Sequence, residues 1–484
     1  MNRARWFLGL LSTATLGVKL KTPTDAAPSP TPELTKEQVL AEAAGLLREN
    51  SYSLAVQDGK ISGTGAAALL AGGRASQFFI IAEEHNTQTL PRLAAALLAA
   101  LEPAGYEYIA TESATAHARW ASEPPQRGNR EAIFGFAHRY PYELTFYRDD
   151  EAQMFVDAGR ISKGKGRAIW GVDQEFGTEP ALEIIARAAP DPAARDYVES
   201  LLERARDAEH DRTKLSEHHF IVDTKPPEWR RLQQLYRSVK DADVQWLIQD
   251  LLESSTIYDL YTQHRGFMNS LAREDYMKRV FMDEYRRSAK LDGRLPKVIF
   301  KAGHWHALRG ENPNHVFTTG EMLSELAATN GSRAFVLSTY HYEPDNYMTI
   351  DENLRPLVTV AKSDANVLVL FEPLRESLYR KRFVDNLPPG FVDLLFRADA
   401  ALILGGEKRS GTERLDAAPH YDAGSGAPIA GGFGAAQVVP SVNSTYAGSI
   451  TTRPAATGSP SFGWYMNVSP SPLPRSPSHA TPDS

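Results

Sequence analysis

Four polar clusters in the sequence carry the side chains of acid–base chemistry, and each directly follows a short apolar run. The clusters are Glu83-Glu84-His85-Asn86, Thr111-Glu112, Asp173-Gln174-Glu175 and Gly303-His304-Trp305-His306. A histidine beside a carboxylate can take a proton from water that attacks an ester or amide carbonyl. The same residue types can instead bind a metal ion that acidifies a bound water. Both alternatives lead to hydrolysis.

The apolar runs that precede these clusters have the character of buried strands. Side chains alternate along an extended strand, so Glu83 and His85 are expected on one face and Glu84 on the other. The same period predicts that His304 and His306 lie together. In an open parallel sheet, ligands bind at the carboxyl ends of the strands. The four clusters are therefore expected to meet in one cleft.

The pattern along the chain predicts an α/β fold with a mostly parallel central sheet flanked by helices. Short β-rich runs occur at residues 77–82, 106–111, 167–172, 298–302, 334–338, 366–371 and 400–404. Helical patterns such as 89–101 and 320–329 separate most of them, as in a sheet that is covered on both faces. Before them, Thr35-Lys36-Glu37-Gln38 has the form of a capping box, and residues 51–62 form a predicted hairpin around Asp58-Gly59.

A long helical insertion interrupts this alternation at about residues 179–291, where charged helical patterns occur and no strand is predicted. Because the insertion lies between two strand candidates, we expect it to rise from one edge of the sheet and to cover the cleft.

The two ends of the chain differ in composition from the rest. Residues 1–32 read as a signal peptide and linker, with Arg3 and Arg5 before an apolar stretch and Ala26-Ala27 before Pro28. An exported protein, periplasmic or secreted, is therefore expected, with no transmembrane segment beyond the signal. Residues 33–408 are predicted to form the α/β domain. Residues 409–484, rich in Gly, Ala, Pro, Ser and Thr, are predicted to be a disordered low-complexity tail.

Composition excludes several classes of function. The 53 Lys and Arg residues against 60 Asp and Glu give a net charge of -7, which argues against a nucleic acid partner. The sequence has no cysteine, so disulfides, thiolate nucleophiles and cysteine-bound zinc are excluded. Any metal would have to be held by histidine and carboxylate.

At the same clusters the chain resembles the superfamily of erythromycin esterases, ChaN-like haem-uptake proteins and TIKI/TraB-type proteins. The resemblance covers residues 33–406 approximately and also includes Arg273-Glu274-Asp275-Tyr276-Met277, which looks like the Arg-x-x-x-Met helix motif of these families. Ala82 stands where the families have glycine. His85 follows Glu83 by two positions, as in ChaN-type proteins, whereas the esterases place the histidine three after the glutamate.

The resemblance implies a role for each motif residue. His85 would be the general base or a ligand, Glu83 and Glu112 its carboxylate partners, and His304 a second acid–base group or ligand. Arg273 would be a charge clamp, and Asp173 would orient one of the histidines. His306 would share the role of His304 or simply pack. If a metal is present, its ligands would come from His85, Glu83, His304 and His306.

Three functions are compatible with these features. The first is a hydrolase of an ester, lactone or amide bond in a small-molecule or peptide substrate. The second is a periplasmic protein that binds haem or another metal compound without turnover, and the resemblance makes haem or a divalent metal the cofactor to consider. The third is an envelope interaction protein whose site is vestigial.

Overall fold

The computed structural model describes residues 35–85, 87–140, 149–210, 220–342, 353–381 and 387–406, and the backbone of 420–421 and 428–429. The expected signal peptide and linker lie outside the described residues, as does nearly all of the expected tail.

The described residues form a nine-stranded sheet in the order β2-β1-β8-β9-β7-β3-β6-β4-β5. The strands are β1 (Ser51–Gln57), β2 (Lys60–Ser62), β3 (Phe78–Glu83), β4 (Tyr106–Ala114), β5 (Ile169–Asp173), β6 (Lys297–Gly303), β7 (Ala334–Tyr342), β8 (Asn366–Leu370) and β9 (Ala400–Gly405). All neighbours from β9 to β5 are parallel, whereas β8, β1 and β2 add antiparallel pairs. Two further short segments, β10 (His420–Tyr421) and β11 (Pro428–Ile429), pair with each other. The predicted α/β class and mostly parallel sheet are confirmed, as are the seven strand positions and the hairpin.

Helices cover both faces of the sheet. They are α1 (Lys36–Glu49), α2 (Ala66–Arg74), α3 (Thr89–Leu101), α4 (Thr115–Ser122), α5 (Arg130–Arg139), α6 (Asp149–Ile161), α13 (His304–Ala307), α14 (Thr319–Thr329), α15 (Arg355–Val358), α16 (Glu372–Lys381) and α17 (Pro389–Arg397). Strand β3 shows the two faces, because Phe78 and Ile80 belong to one apolar cluster and Phe79 and Ile81 to another. The capping box at Thr35 is present at the start of α1.

The insertion is all-helical in the part that the structure describes. It consists of α7 (Glu179–Arg187), α8 (Pro192–His210), α9 (Phe220–Asp223), α10 (Pro226–Leu235), α11 (Ala242–Thr262) and α12 (Gly266–Asp292). It leaves the sheet after the edge strand β5 and returns to β6. Its helices have their own apolar core, which includes Leu182, Leu201, Trp229 and Leu251. Across the described helices of the chain, none combines the length and apolar character that a bilayer crossing needs.

The order of the strands brings the four polar clusters together. Strands β3, β6, β4 and β5 are consecutive neighbours in the sheet and run parallel, so their carboxyl ends lie side by side. The polar clusters therefore lie at the carboxyl ends of these strands, on the side of the sheet from which the insertion rises, where a parallel sheet is expected to bind a ligand.

Candidate functional site

His85 lies between two carboxylates at the carboxyl end of β3. Its Nδ1 is 3.0 Å from Oε1 of Glu83, and its Nε2 is 3.8 Å from Oε2 of Glu112. The His85 side chain keeps 16% of its surface exposed, whereas Glu83 keeps 3% and Glu112 keeps 1%. Burial alone would lower the pKa of His85, but the charges of Glu112 and Glu83 raise it above its ordinary value. The imidazole is therefore the part of this group that solvent reaches.

Glu112, near the end of β4, connects His85 to the rest of the site. Its Oε1 accepts a hydrogen bond from Nη2 of Arg273 at 2.7 Å, and its Oε2 accepts one from the backbone N–H of Gly303 at 2.6 Å. Burial would raise the pKa of Glu112, but His306, His85 and Arg273 together lower it to about 2. The carboxylate is therefore ionised throughout the physiological range.

Gly303 ends β6 directly against His85. A Cβ at this position would lie 2.7 Å from Nε2 of His85 and 3.2 Å from Oε2 of Glu112. The missing side chain thus allows the Gly303 backbone to approach both the imidazole and the carboxylate that it binds.

Arg273, on α12 of the insertion, forms a two-bond pair with Asp173 at the end of β5. Its Nε donates to Oδ1 at 2.9 Å and its Nη2 donates to Oδ2 at 2.6 Å. The role expected for Asp173 needs correction, because its carboxylate binds this guanidinium and does not orient a histidine. Burial would lower the pKa of Arg273, but the charges of Asp173 and Glu112 outweigh burial and raise this pKa above its ordinary value. Arg273 thus holds both carboxylates and ties the insertion to the sheet.

Lys301, on β6, binds Glu83 from the side away from His85. Its Nζ is 2.7 Å from Oε2 of Glu83 and 2.6 Å from Oε1 of Glu151 on α6, and 1% of the lysine side chain is exposed. Burial would raise the pKa of Glu83, but Lys301 and His85 keep it below its ordinary value. Burial raises the pKa of Glu151 more than Lys301 lowers it.

His306 also lies between two carboxylates. Its Nδ1 is 2.7 Å from Oε1 of Glu274, and its Nε2 is 3.7 Å from Oε1 of Glu112. Oε2 of Glu274 in turn accepts a hydrogen bond from Oγ1 of Thr319 at 2.8 Å. With 3% of its side chain exposed, His306 supports Glu112 from within the protein.

The prediction that His304 and His306 lie together on one strand face is wrong. Strand β6 ends at Gly303, and residues 304–307 form the helical turn α13. Residues two apart on a helix point about 200° apart, so the two imidazoles diverge. His304 stacks on Tyr340 with ring centres 5.1 Å apart, while His306 turns towards Glu274.

His304 is a neutral group at physiological pH. Burial and the neighbouring His85 lower its pKa to about 4. A hydrogen bond links it to the backbone of Thr339, and its buried Nε2 has no hydrogen-bond partner among the described residues. That nitrogen can accept a hydrogen bond from a water or a substrate.

Glu84 faces away from His85, as the strand period predicts. Its Oε2 accepts a hydrogen bond from the backbone N–H of His341 at 2.8 Å, and its own N–H donates to Oγ1 of Thr339 at 3.0 Å. Glu84 therefore joins β3 to β7 and does not belong to the His85 group.

The donor set does not fit a metal ion. The two carboxylate oxygens of Glu83 bind His85 and Lys301, and those of Glu112 accept hydrogen bonds from Arg273 and from a backbone N–H. Within the described ranges, no three His, Asp or Glu side chains are grouped so that they could hold a metal. The predicted metal ligand set His85, Glu83, His304 and His306 is thus not assembled here.

Tyr106 and Tyr108, whose phenol groups are a type of haem ligand, lie away from His85. The Tyr106 hydroxyl donates to the backbone carbonyls of Gly73 and Ser76, and the Tyr108 hydroxyl donates to Asp292. Both tyrosines lie at the amino end of β4, opposite the strand ends that carry His85 and Glu112.

Three charged residues of this group were not found from the sequence. Lys301 could have been found, because it lies within the apolar run before Gly303 and a buried lysine is rare unless it is paired with a carboxylate. Glu274 follows Arg273 in a motif already singled out. Glu151 stands in the acidic run Asp149-Asp150-Glu151, where nothing in the sequence distinguishes it from its two acidic neighbours.

Comparison with known proteins gives similarity only at the level of solved structures. No family model matches the chain, and no curated protein matches its sequence. A Bacillus cereus protein aligns with a TM-score of 0.49 and 12% identity over 76% of this chain and 98% of its own. A mutant of the erythromycin esterase EreC in its open conformation aligns with a TM-score of 0.47 and 13% identity over 75% of this chain and 98% of its own. ChaN of Campylobacter jejuni with cofacially bound haem aligns with a TM-score of 0.28 and 10% identity over 60% of this chain and 92% of its own. The last two carry the names of the families that the sequence motifs resemble, and at these identities the likeness concerns the fold alone.

Proposed function

We propose that the chain is a hydrolase of an ester, lactone or amide bond, in which His85 is the general base that activates water. One observation carries the proposal: His85 is the partly exposed member of a group whose other charged side chains are buried. A histidine held between two ionised carboxylates, with part of its ring exposed to solvent, is placed to exchange protons with a substrate.

The hydrogen bonds define which nitrogen acts. Because Glu83 is ionised, it can only accept, so Nδ1 of His85 carries the proton of their hydrogen bond. In the neutral imidazole, Nε2 is then the nitrogen that carries the ring lone pair and can accept a proton. At 3.8 Å from Glu112, Nε2 is too far for a hydrogen bond but close enough for an ion pair once it is protonated.

The proposed reaction uses one water and returns His85 to its starting state. Nε2 takes a proton from water while the water oxygen bonds to the carbonyl carbon, and the carbonyl electron pair moves to oxygen. The tetrahedral species collapses, and the bond to the leaving alcohol or amine breaks as Nε2–H donates its proton to that group. Glu83 and Glu112 stabilise the imidazolium that exists between these two steps.

The remaining parts of the proposal rest on the sequence. From the pattern in residues 1–32 we assign export to the periplasm or beyond. We assign catalysis to the domain formed by residues 33–408. The insertion, which provides Arg273, would select the substrate.

The test is a hydrolysis assay on the purified chain with p-nitrophenyl esters of increasing acyl length, a macrocyclic lactone and an aryl amide. His85→Gln should reduce kcat/KM by about 100-fold or more for any substrate that is turned over. The matched control is His315→Gln, since the His315 side chain is 86% exposed, and it should leave the rate unchanged.

Two results would contradict the proposal. One is a His85→Gln variant that hydrolyses as fast as the wild type. The other is a hemin titration that gives a Soret band at a fixed stoichiometry in a chain that hydrolyses none of the probes, which would favour the ligand-binding function instead.

A further inference from the structure

A buried ion-pair chain lies behind the proposed base. Lys301 is central to it: the residue occurs within strand β6, is 1% exposed, and has a carboxylate on either side of its ammonium group. Placing a lysine in the middle of a sheet is costly, and an apolar residue would serve the packing of β6 better. The lysine therefore calls for an explanation outside packing.

The strand register places the charged residues of this ion-pair series on one face of the sheet. Lys301 is the partner of Ile81 on β3, and neighbours in register point to the same side. Glu83, two residues after Ile81, shares that side, and Ile81 packs in the apolar cluster that contains Phe155 of α6. Glu151 of the same helix reaches Lys301 from this layer.

We propose that Lys301 and Glu151 are positioning residues that hold the Glu83 carboxylate against His85. The inference rests on the proposed function, in which His85 acts on water. With Oε1 bound to His85 and Oε2 bound to Lys301, the Glu83 carboxylate is fixed in both direction and rotation. Glu151 fixes the ammonium in turn, so the orientation of His85 is set by a helix on the face of the sheet.

The charges predict different effects for replacing Glu151 and for replacing Lys301. Replacing Glu151 by glutamine removes a negative charge and leaves the whole effect of Lys301 on Glu83 and His85. Replacing Lys301 by methionine removes the bond to Oε2 and leaves two neighbouring carboxylates that had both bound the ammonium, at 2.7 and 2.6 Å, so that a proton is taken up between them. Glu83 then loses both its fixed rotation and part of its charge.

The experiment uses the full chain with histidines labelled at 13Cε1, and the variants Glu151→Gln and Lys301→Met. The His85 signal is assigned by its loss in His85→Gln, and its titration is followed by NMR. Rates on p-nitrophenyl acetate are measured in parallel. The matched control is Glu209→Gln, because Glu209 is another buried carboxylate, bound by the Thr178 hydroxyl and by the backbone N–H groups of residues 178 and 179.

We expect Glu151→Gln to lower the midpoint of the His85 titration by about half a pH unit or more. Lys301→Met should lower kcat about tenfold or more while KM changes less than about threefold, because positioning and not substrate binding is lost. Glu209→Gln should change neither quantity.

Wild-type titration of His85 in Glu151→Gln would overturn the inference, as would a Lys301→Met variant with unchanged kcat. If Lys301→Met does not fold, the isosteric Glu151→Gln decides alone. The two proposals fail separately: if the wild type hydrolyses no probe, the proposed function fails, whereas the titration of His85 still tests whether Lys301 and Glu151 control it.

Discussion

Replacing Gly303 by alanine should impair the proposed base without straining the backbone. Gly303 has φ -58° and ψ 157°, which any L-residue adopts, so the added methyl acts through its contacts alone. That methyl carbon would lie 2.7 Å from Nε2 and 2.9 Å from Cε1 of His85. The nearest atom is the one that we propose takes the proton from water.

The size of the effect follows from these distances. Ordinary contact needs a separation of about 3.5 Å, so the imidazole must move by about 0.8 Å, and a displacement near 1 Å costs about 100-fold in rate. Overpacking a buried site costs about 1–3 kcal/mol of folding free energy. Gly303→Ala is therefore expected to lower kcat by about 30- to 100-fold while the chain still folds.

The assay pairs kcat on the best probe ester with the unfolding free energy from urea denaturation. Gly45→Ala is the control, because no heavy atom lies within 4 Å of a Cβ at this position in α1, and the change should stabilise the chain by about 0.5–1 kcal/mol at wild-type rate. A folded Gly303→Ala protein with the wild-type kcat would refute the assignment of Nε2 as the base.

Three further predictions concern pH and the buried charges. Because hydrolysis needs neutral His85 and its pKa is raised, kcat/KM should increase with pH through a midpoint above 6.5, and a pH–rate profile with a midpoint below 6 would contradict this. Arg273→Met should cost about 3–5 kcal/mol in urea unfolding by leaving buried carboxylates unpaired, whereas the exposed Arg286→Met should cost less than about 0.5 kcal/mol. Burial raises the pKa of Asp250 from 3.8 to about 6, so the wild type loses stability as pH rises through this window. Asp250→Asn should therefore be more stable than the wild type at pH 8, by up to about 3 kcal/mol, and equal to it near pH 4.

The sheet was predictable because its signals are local. Each strand of the parallel part is five to nine residues long and contains a short apolar run, and in β3, β4, β5 and β6 a polar cluster marks the carboxyl end. Alternation also predicted correctly that Glu83 and His85 share a side and that Glu84 does not. The insertion was visible as a long stretch of helical pattern between β5 and β6.

The partners of the site residues were not predictable, because they depend on contacts between distant segments. Arg273 meets Asp173 across 100 positions and Glu112 across 161. The strand period was also applied beyond the end of β6: after Gly303 the backbone turns into a helix, and a period of two no longer holds for His304 and His306. Sequence patterns give the side of an element on which a residue lies, but not the residue that it contacts.

The arrangement of the charges explains why the site favours one particular state of His85. Carboxylates and cations alternate along the chain of contacts, with the imidazole between two carboxylates, in the order Glu151, Lys301, Glu83, His85, Glu112, Arg273, Asp173. Of the three basic residues in this series, Lys301 and Arg273 are permanently charged, whereas His85 is charged only when it is protonated. Protonation of His85 completes the alternation, so the surrounding charges are already oriented for the imidazolium before any proton moves. Stabilisation that is fixed in advance at the group where charge develops lowers the barrier for proton removal from water, and it requires no rearrangement of the buried side chains.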